Sequence, residues 1–204
     1  MHPVVVGALH GVVVLAVGSA LGWLVAGPGG ATAGALVSAP PAWRIVGLIA
    51  RVRPYRPGGR GLGAATVDLT WSAVNTWAAS LFALVLSVRG NRPEPDRSRH
   101  SGLVHFCDPA IAGYATTVGI VTAGCSARLE AHERVHVLQA RIFGPLYLPL
   151  VGLGFVVTTA VPYWMLSASA RRGVRDLRSY FVRGVYPHTW HEWWAYRSAP
   201  TTAP

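Results

Sequence analysis

Apolar residues run almost without interruption from 4 to 26, VVVGALHGVVVLAVGSALGWLVA. As a helix that length crosses a hydrocarbon core of ~30 Å. No lysine or arginine precedes the run, so an uncleaved membrane helix is expected rather than a cleaved secretory signal. His10 is then a polar residue facing protein. Residues 27 to 43 are rich in Gly, Ala and Pro and read as a loop. Arg44, Arg51, Arg53, Arg56 and Arg60 punctuate the next stretch, which suits a short amphipathic segment on a membrane surface. A second apolar helix, spanning or buried, is expected over 70–88, followed by the polar linker RGNRPEPDRSRHSG.

The pattern then changes. In LVHFCD and AGYATTVGIVTAG, β-branched residues alternate between Gly, Asp and Pro, which predicts the two strands of a hairpin. Ser126 is placed to cap a polar helix that Gly144-Pro145 would end. A last apolar run covers 145–168. Arg171, Arg172, Arg175, Arg178 and Arg183 follow, and then YPHTWHEWWAYR. The expected fold is mainly α and membrane-associated, with apolar helices around the polar helix and a short β-hairpin before it. Residues 1–60 form an N-terminal membrane helix with its arginine-rich segment, and 61–204 form the second unit.

Composition agrees with a membrane setting. Of the 204 residues 51% are hydrophobic and 13% charged, against ~25% charged in soluble domains. All 18 basic residues are arginine, and the net charge is +10. No aromatic-plus-basic nucleic-acid motif accompanies that charge. Anionic lipid flanking apolar segments is the partner it suggests, with the 44–60 loop cytoplasmic. Cys107 and Cys125 are not a CxxC pair, so a cysteine zinc site is not expected. A disulfide and two unpaired thiols both remain open.

The candidate chemistry lies in the polar helix. His132 and His136, four residues apart, share one helical face, where two imidazoles can ligate one metal ion. Glu133 lies one position round, able to act as general base on a metal-bound water without ligating. The segment AHERVHVLQARIFGPLYLPL resembles the active-site helix of HExxH zinc metallopeptidases of the gluzincin type. It resembles more closely a group of small bacterial membrane-associated proteins with such a helix, a following Gln, and then Gly-Pro-Leu and an apolar helix. The resemblance covers 113–150, extends less closely to 186–197 and 70–90, and leaves out the first 60 residues.

The resemblance implies a minimal zincin-like α+β core, Zn²⁺ as cofactor and a peptide or protein substrate. It also implies a glutamate ligand from a later helix. Glu192 in HEWWAYR matches it, and the chain has only three other glutamates: Glu94, Glu130 and Glu133. His188 and His191 are rival ligands, or groups that hydrogen-bond substrate or a developing oxyanion. Trp190, Trp193 and Trp194 also suit an interfacial aromatic belt. Thr116, Thr117 and Gly119 would line a cleft if a strand edge pairs with extended substrate.

For Glu192 to reach His136, the run 145–168 is expected to fold back antiparallel to 126–143 at Gly144-Pro145. That places a metallopeptidase site at or near the bilayer. Two other readings stay open. One is a membrane di-iron oxygenase with boxes HERVH and HTWHE plus His100 and His105; the other is a non-catalytic membrane protein with a structural metal site.

Overall fold

The computed structural model describes residues 2–167, 171 and 174–199. Residues 168–170, 172 and 173 lie outside the described residues, so the end of the expected apolar run and Arg172 are not placed. The fold is mostly helical with one small sheet. Helix α1 (Pro3–Val52) is broken only at Ala26 and Gly27, where Gly27 takes φ 60 and ψ −147. The chain reverses there. Gly22 then faces Gly30, Gly18 faces Gly34 and Ser38, and Gly7 faces Val46.

The expected loop over 27–43 is therefore the second arm of a helical hairpin. Its small residues are not turn formers; they let two helix backbones touch. Only Gly27 turns. A Cβ on Gly22 would collide with the Gly30 carbonyl, whereas one on Gly47 would meet nothing within 4 Å. Gly22→Leu should thus destabilise the detergent-solubilised protein by about 1–3 kcal/mol. Gly47→Leu should leave the melting temperature unchanged. Equal effects at the two positions would contradict the close packing of the arms.

Helix α2 (Gly59–Leu69) meets α3 (Ala73–Val88) at 87°. The second arm of α1 lies on α3, with Trp77 Nε1 donating to Ser38 Oγ at 3.0 Å and Arg44 Nε to Ser87 Oγ at 2.7 Å. One buried apolar cluster runs from Val6, Val14, Ile45 and Ile49 through Ala79 and Leu86 to Val104, Phe106, Val121 and Val137. Residues from both 1–60 and 61–204 contribute to this core.

After α4 (Pro95–Ser98) come β1 (Val104–Phe106), β2 (Thr116–Val118) and β3 (Val121–Ala123). The order is β1-β3-β2. Only β2 and β3 form a hairpin, turning at Gly119 with φ 52; β1 adds to β3 in parallel. The expected pairing of LVHFCD with the later strand therefore holds only in part. Both cysteines are free, Cys107 exposed and Cys125 buried.

Helix α5 (Glu130–Phe143) carries the motif. Ser126 does not cap it: the Ser126 carbonyl accepts from Leu129 N–H in a preceding turn, and Glu130 and Glu133 occupy the first helical turn. Carboxylates there complement the helix dipole. Nor does Gly144-Pro145 reverse the chain. Gly144 takes φ 54, a 3₁₀ turn Gly144–Leu146 follows, and α6 (Tyr147–Ala160) continues. Asn75 Nδ2 adds a donor to the carbonyls at this kink, to Gly144 at 2.7 Å and Ala140 at 3.2 Å.

The expected antiparallel packing of α6 on α5 is corrected accordingly; the return leg comes later. Phe181 stacks on Phe155, and Tyr180 donates to the Thr159 carbonyl at 2.8 Å. Trp190 Nε1 donates to the Leu150 carbonyl at 2.9 Å. The chain thus runs back along α6 through the π-helical stretch Tyr180–Val185 to α7 (Trp190–Ser198), which packs on α5. Two segments, Pro3–Val52 and Glu130–Ala160, are long and apolar enough to cross a membrane, or three if α2 and α3 form one bent span.

Candidate metal centre

His132 and His136 project from one face of α5, and Glu192 comes from the first turn of α7; all three are buried. His132 Nε2 lies 3.2 Å from both His136 Nε2 and Glu192 Oε2, and His136 Nε2 lies 3.5 Å from Glu192 Oε1. Ligand atoms on a tetrahedron with metal bonds of ~2.0–2.1 Å sit ~3.3–3.4 Å apart. The cluster has that spacing before any ion is placed in it. These three residues are the one group of His, Cys, Asp or Glu among the described residues able to hold a metal ion.

The supporting bonds orient the ligands. His136 Nδ1 donates to Gln139 Oε1 at 3.0 Å, which leaves the Nε2 lone pair for a metal. Gln139 is fixed in turn, its Nε2 donating to the His191 carbonyl at 2.8 Å. One bond therefore ties α5 to α7 beside the three residues they bring together. Burial raises the Glu192 carboxyl, but the bond from His132 and the neighbouring His136 and His191 more than offset it, so its pKa falls below the ordinary value. The carboxylate stays ionised, as a ligand must.

Glu133 is not part of the cluster. Its Oε2 accepts from Thr117 Oγ1 at 2.6 Å, so β2 holds one carboxylate oxygen. Thr116 and Thr117 line the adjoining cleft, together with His136, Tyr147, Tyr186, His191 and Glu192. Gly119 does not line it; it turns the hairpin against Asn75 and Ala79 of α3. A second cleft, on the other side of Glu133, is lined by His132, Arg128, Tyr114 and Tyr196. The two clefts measure about 270 and 280 Å³ and share Tyr114, Ala115, Glu133 and Tyr186. β2 has β3 on one side only, and its residues Thr116, Thr117 and Val118 line the first cleft.

The two rival histidines separate. His191 Nε2 comes within 3.8 Å of Glu192 Oε1, and burial pushes its imidazole down to about 4, keeping it neutral beside the cluster. His188 is turned away. Its ring stacks on Trp164, its Nδ1 donates to the Gly184 carbonyl at 2.6 Å, and its own carbonyl accepts from Tyr163. His188 and Glu192 do not share a helical face, because Thr189 is extended (ψ 144) and starts a new helix.

The two boxes of the di-iron reading meet through His132, His136, His191 and Glu192, whereas His188, His100 and His105 do not join them. His100 lies on a positive-φ turn, and His105 is enclosed in β1 with neither ring nitrogen hydrogen-bonded. Sequence reasoning missed Tyr186 and Tyr196. The Tyr196 ring is 4.6 Å from His132, and burial and the Glu192 charge raise both phenols. Both stay protonated, and both line the groove. Tyr196 could have been found as the residue four after Glu192 on the same helical face. No protein-family model, curated protein or solved structure matches the chain.

Proposed function

We propose that this protein is a zinc-dependent membrane metallopeptidase. The observation that carries the reading is the tetrahedral-edge spacing of His132, His136 and Glu192, with Glu133 held beside them by Thr117 and outside the ligand set. Two imidazoles and a carboxylate form a donor set typical of catalytic zinc, which keeps an open coordination position. When bound, the ion supplies Lewis acidity, lowering the pKa of a coordinated water and polarising a carbonyl.

The chain's own groups do the rest. Glu133 takes the proton of the attacking water and delivers it to the leaving amine. The phenols of Tyr186 and Tyr196 donate to the oxygen on which negative charge develops. The free edge of β2 aligns an extended peptide across Glu133 by main-chain hydrogen bonds. A bilayer setting is supported by the apolar faces left open on α1 (Val5, Val12, Leu24, Val37) and α6 (Leu153, Val156). Such faces exceed what soluble monomers expose.

Glu133→Gln tests the reading. Wild type and the variant should each hold one zinc per chain, and the variant should lose hydrolysis of a quenched-fluorescent peptide library by about 10²–10⁴-fold. Loss of zinc with the fold intact would make Glu133 a ligand and remove the proposed base.

A further inference from the structure

A cavity of about 170 Å³ lies at the open end of the α1 hairpin, lined by Pro3 and Val6 of the first arm, Ile49 and Arg53 at the end of the second, and Arg56 and His100 beyond. It shares no residue with the two metal clefts. At ~30 Å³ per water it has room for about five or six waters, a size that suits one phosphate group. No acidic side chain lines it. The arginine ion pairs among the described residues engage Arg97, Arg134 and Arg141, and leave out Arg53 and Arg56. Arg56 is instead fixed through Nε, which donates to the His100 carbonyl at 3.0 Å. That bond uses one of the five donors of a guanidinium whose planar fork matches phosphate.

The backbone around the cavity is strained. Among the described residues only Arg53 (φ 52) and His100 (φ 56) combine a side chain with positive φ, and both line this cavity. A Cβ makes that conformation costly, whereas glycine adopts it freely. The two residues are joined, His100 N–H donating to the Arg53 carbonyl at 3.0 Å, and Gly102 N–H donates to the Pro54 carbonyl at 2.8 Å. These bonds need only backbone. The chain nonetheless carries a guanidinium and an imidazole where glycine would fit with less strain. Strain of this kind gathers at ligand sites.

Position selects the anion. α1 begins at Pro3 and ends at Val52, so the cavity sits where the two apolar arms end and where Arg51, Arg53, Arg56 and Arg60 cluster in the sequence. In the same first turns the outer face of the first arm leaves Val4, Val5 and Leu9 exposed. An anion carrying apolar chains satisfies both surfaces, with its charge in the cavity and its chains along the arm. Basic pockets beside membrane helices take lipid headgroups in this way. We propose that the cavity binds the phosphate of an anionic phospholipid. The inference rests on the bilayer setting of the proposed function and is independent of the metal and its chemistry.

The experiment titrates the full chain in detergent with dioleoylphosphatidylglycerol, dioleoylphosphatidylcholine and inorganic phosphate, and reads the bound fraction by native mass spectrometry. Wild type should bind the anionic lipid about twentyfold tighter than the zwitterionic one, at about fivefold per arginine. Arg53→Gly and Arg56→Gln should each lower that preference about fivefold. Arg178→Gln, at an exposed arginine outside the cavity, should leave it within about twofold. Arg53→Gly relieves the backbone and should melt no lower than wild type in lipid-free detergent. A lower melting temperature would remove the strain argument, and Arg56→Gln then decides the site. Equal affinity for the two lipids in wild type, an unchanged preference in both cavity variants, or an equal loss in Arg178→Gln overturns the headgroup site while the bilayer setting stands. Inorganic phosphate bound as tightly as the anionic lipid makes a soluble phosphate the ligand and overturns the lipid. Binding of neither lipid overturns the bilayer setting and the site together.

Discussion

His136→Ala should weaken zinc binding by about 10²–10⁴-fold, one ligand's share of the ~10–16 kcal/mol that protein ligands commonly supply. His132→Ala and Glu192→Ala should do the same, because each contributes one corner of a cluster whose edges are 3.2–3.5 Å. Gln139→Leu should have a smaller effect, about 10–100-fold, since Gln139 touches no metal and only holds the His136 ring. His188→Ala should have none, its ring being spent on Trp164 and the Gly184 carbonyl. Competition against a chromophoric chelator measures all five. Wild-type affinity in His136→Ala, or a loss in His188→Ala equal to that in Glu192→Ala, would require a different ligand set.

That gradation follows what was readable in the sequence. The pair His132 and His136 was legible because an i,i+4 spacing survives in any helix. Glu192 was legible because the chain has so few acidic residues to choose from. Their convergence also stands, but the expected route did not. Gly144-Pro145 looks like a reversal, yet Asn75, distant in sequence, ties the kink to α3 and the helix resumes. The same kind of long-range contact hid the α1 hairpin. Gly18, Gly22, Gly30 and Gly34 read locally as loop residues, and only a partner helix turns them into a contact surface. Strand pairing was half legible, because the β2–β3 turn is local and the parallel addition of β1 is not. Tyr114, Tyr186 and Tyr196 were passed over because no local spacing ties them to the motif helix, and only the fold brings them to the clefts. The coarse membrane expectation corresponds to two segments long and apolar enough to span.

Arg141→Met should destabilise the fold by about 3–5 kcal/mol, although residue 141 is outside the metal cluster. Arg141 grips Asp68 in a two-point ion pair, Nε to Oδ1 at 2.9 Å and Nη2 to Oδ2 at 2.8 Å. Asp68 is 2% exposed. Without the guanidinium its carboxylate keeps only the Tyr55 hydroxyl, which donates to Oδ2 at 2.9 Å. A buried carboxylate so stripped loses most of what offset its desolvation. The pair also joins three parts of the chain: α5 through Arg141, α2 through Asp68, and the N-terminal hairpin through Tyr55, whose hydroxyl lies 2.8 Å from His10 Nε2. Loss of the pair should therefore loosen the seat of the motif helix on that hairpin. The double variant Asp68→Leu, Arg141→Met discriminates the cause. If the stranded charge is responsible, the double variant should recover much of the stability lost by the single one, since replacing a buried pair with apolar groups is often close to neutral. Chemical denaturation of the zinc-free protein in detergent supplies the measurement. A double variant as unstable as the sum of the two single variants would instead assign the loss to packing, and an unchanged midpoint in Arg141→Met would mean that Asp68 is solvated from elsewhere.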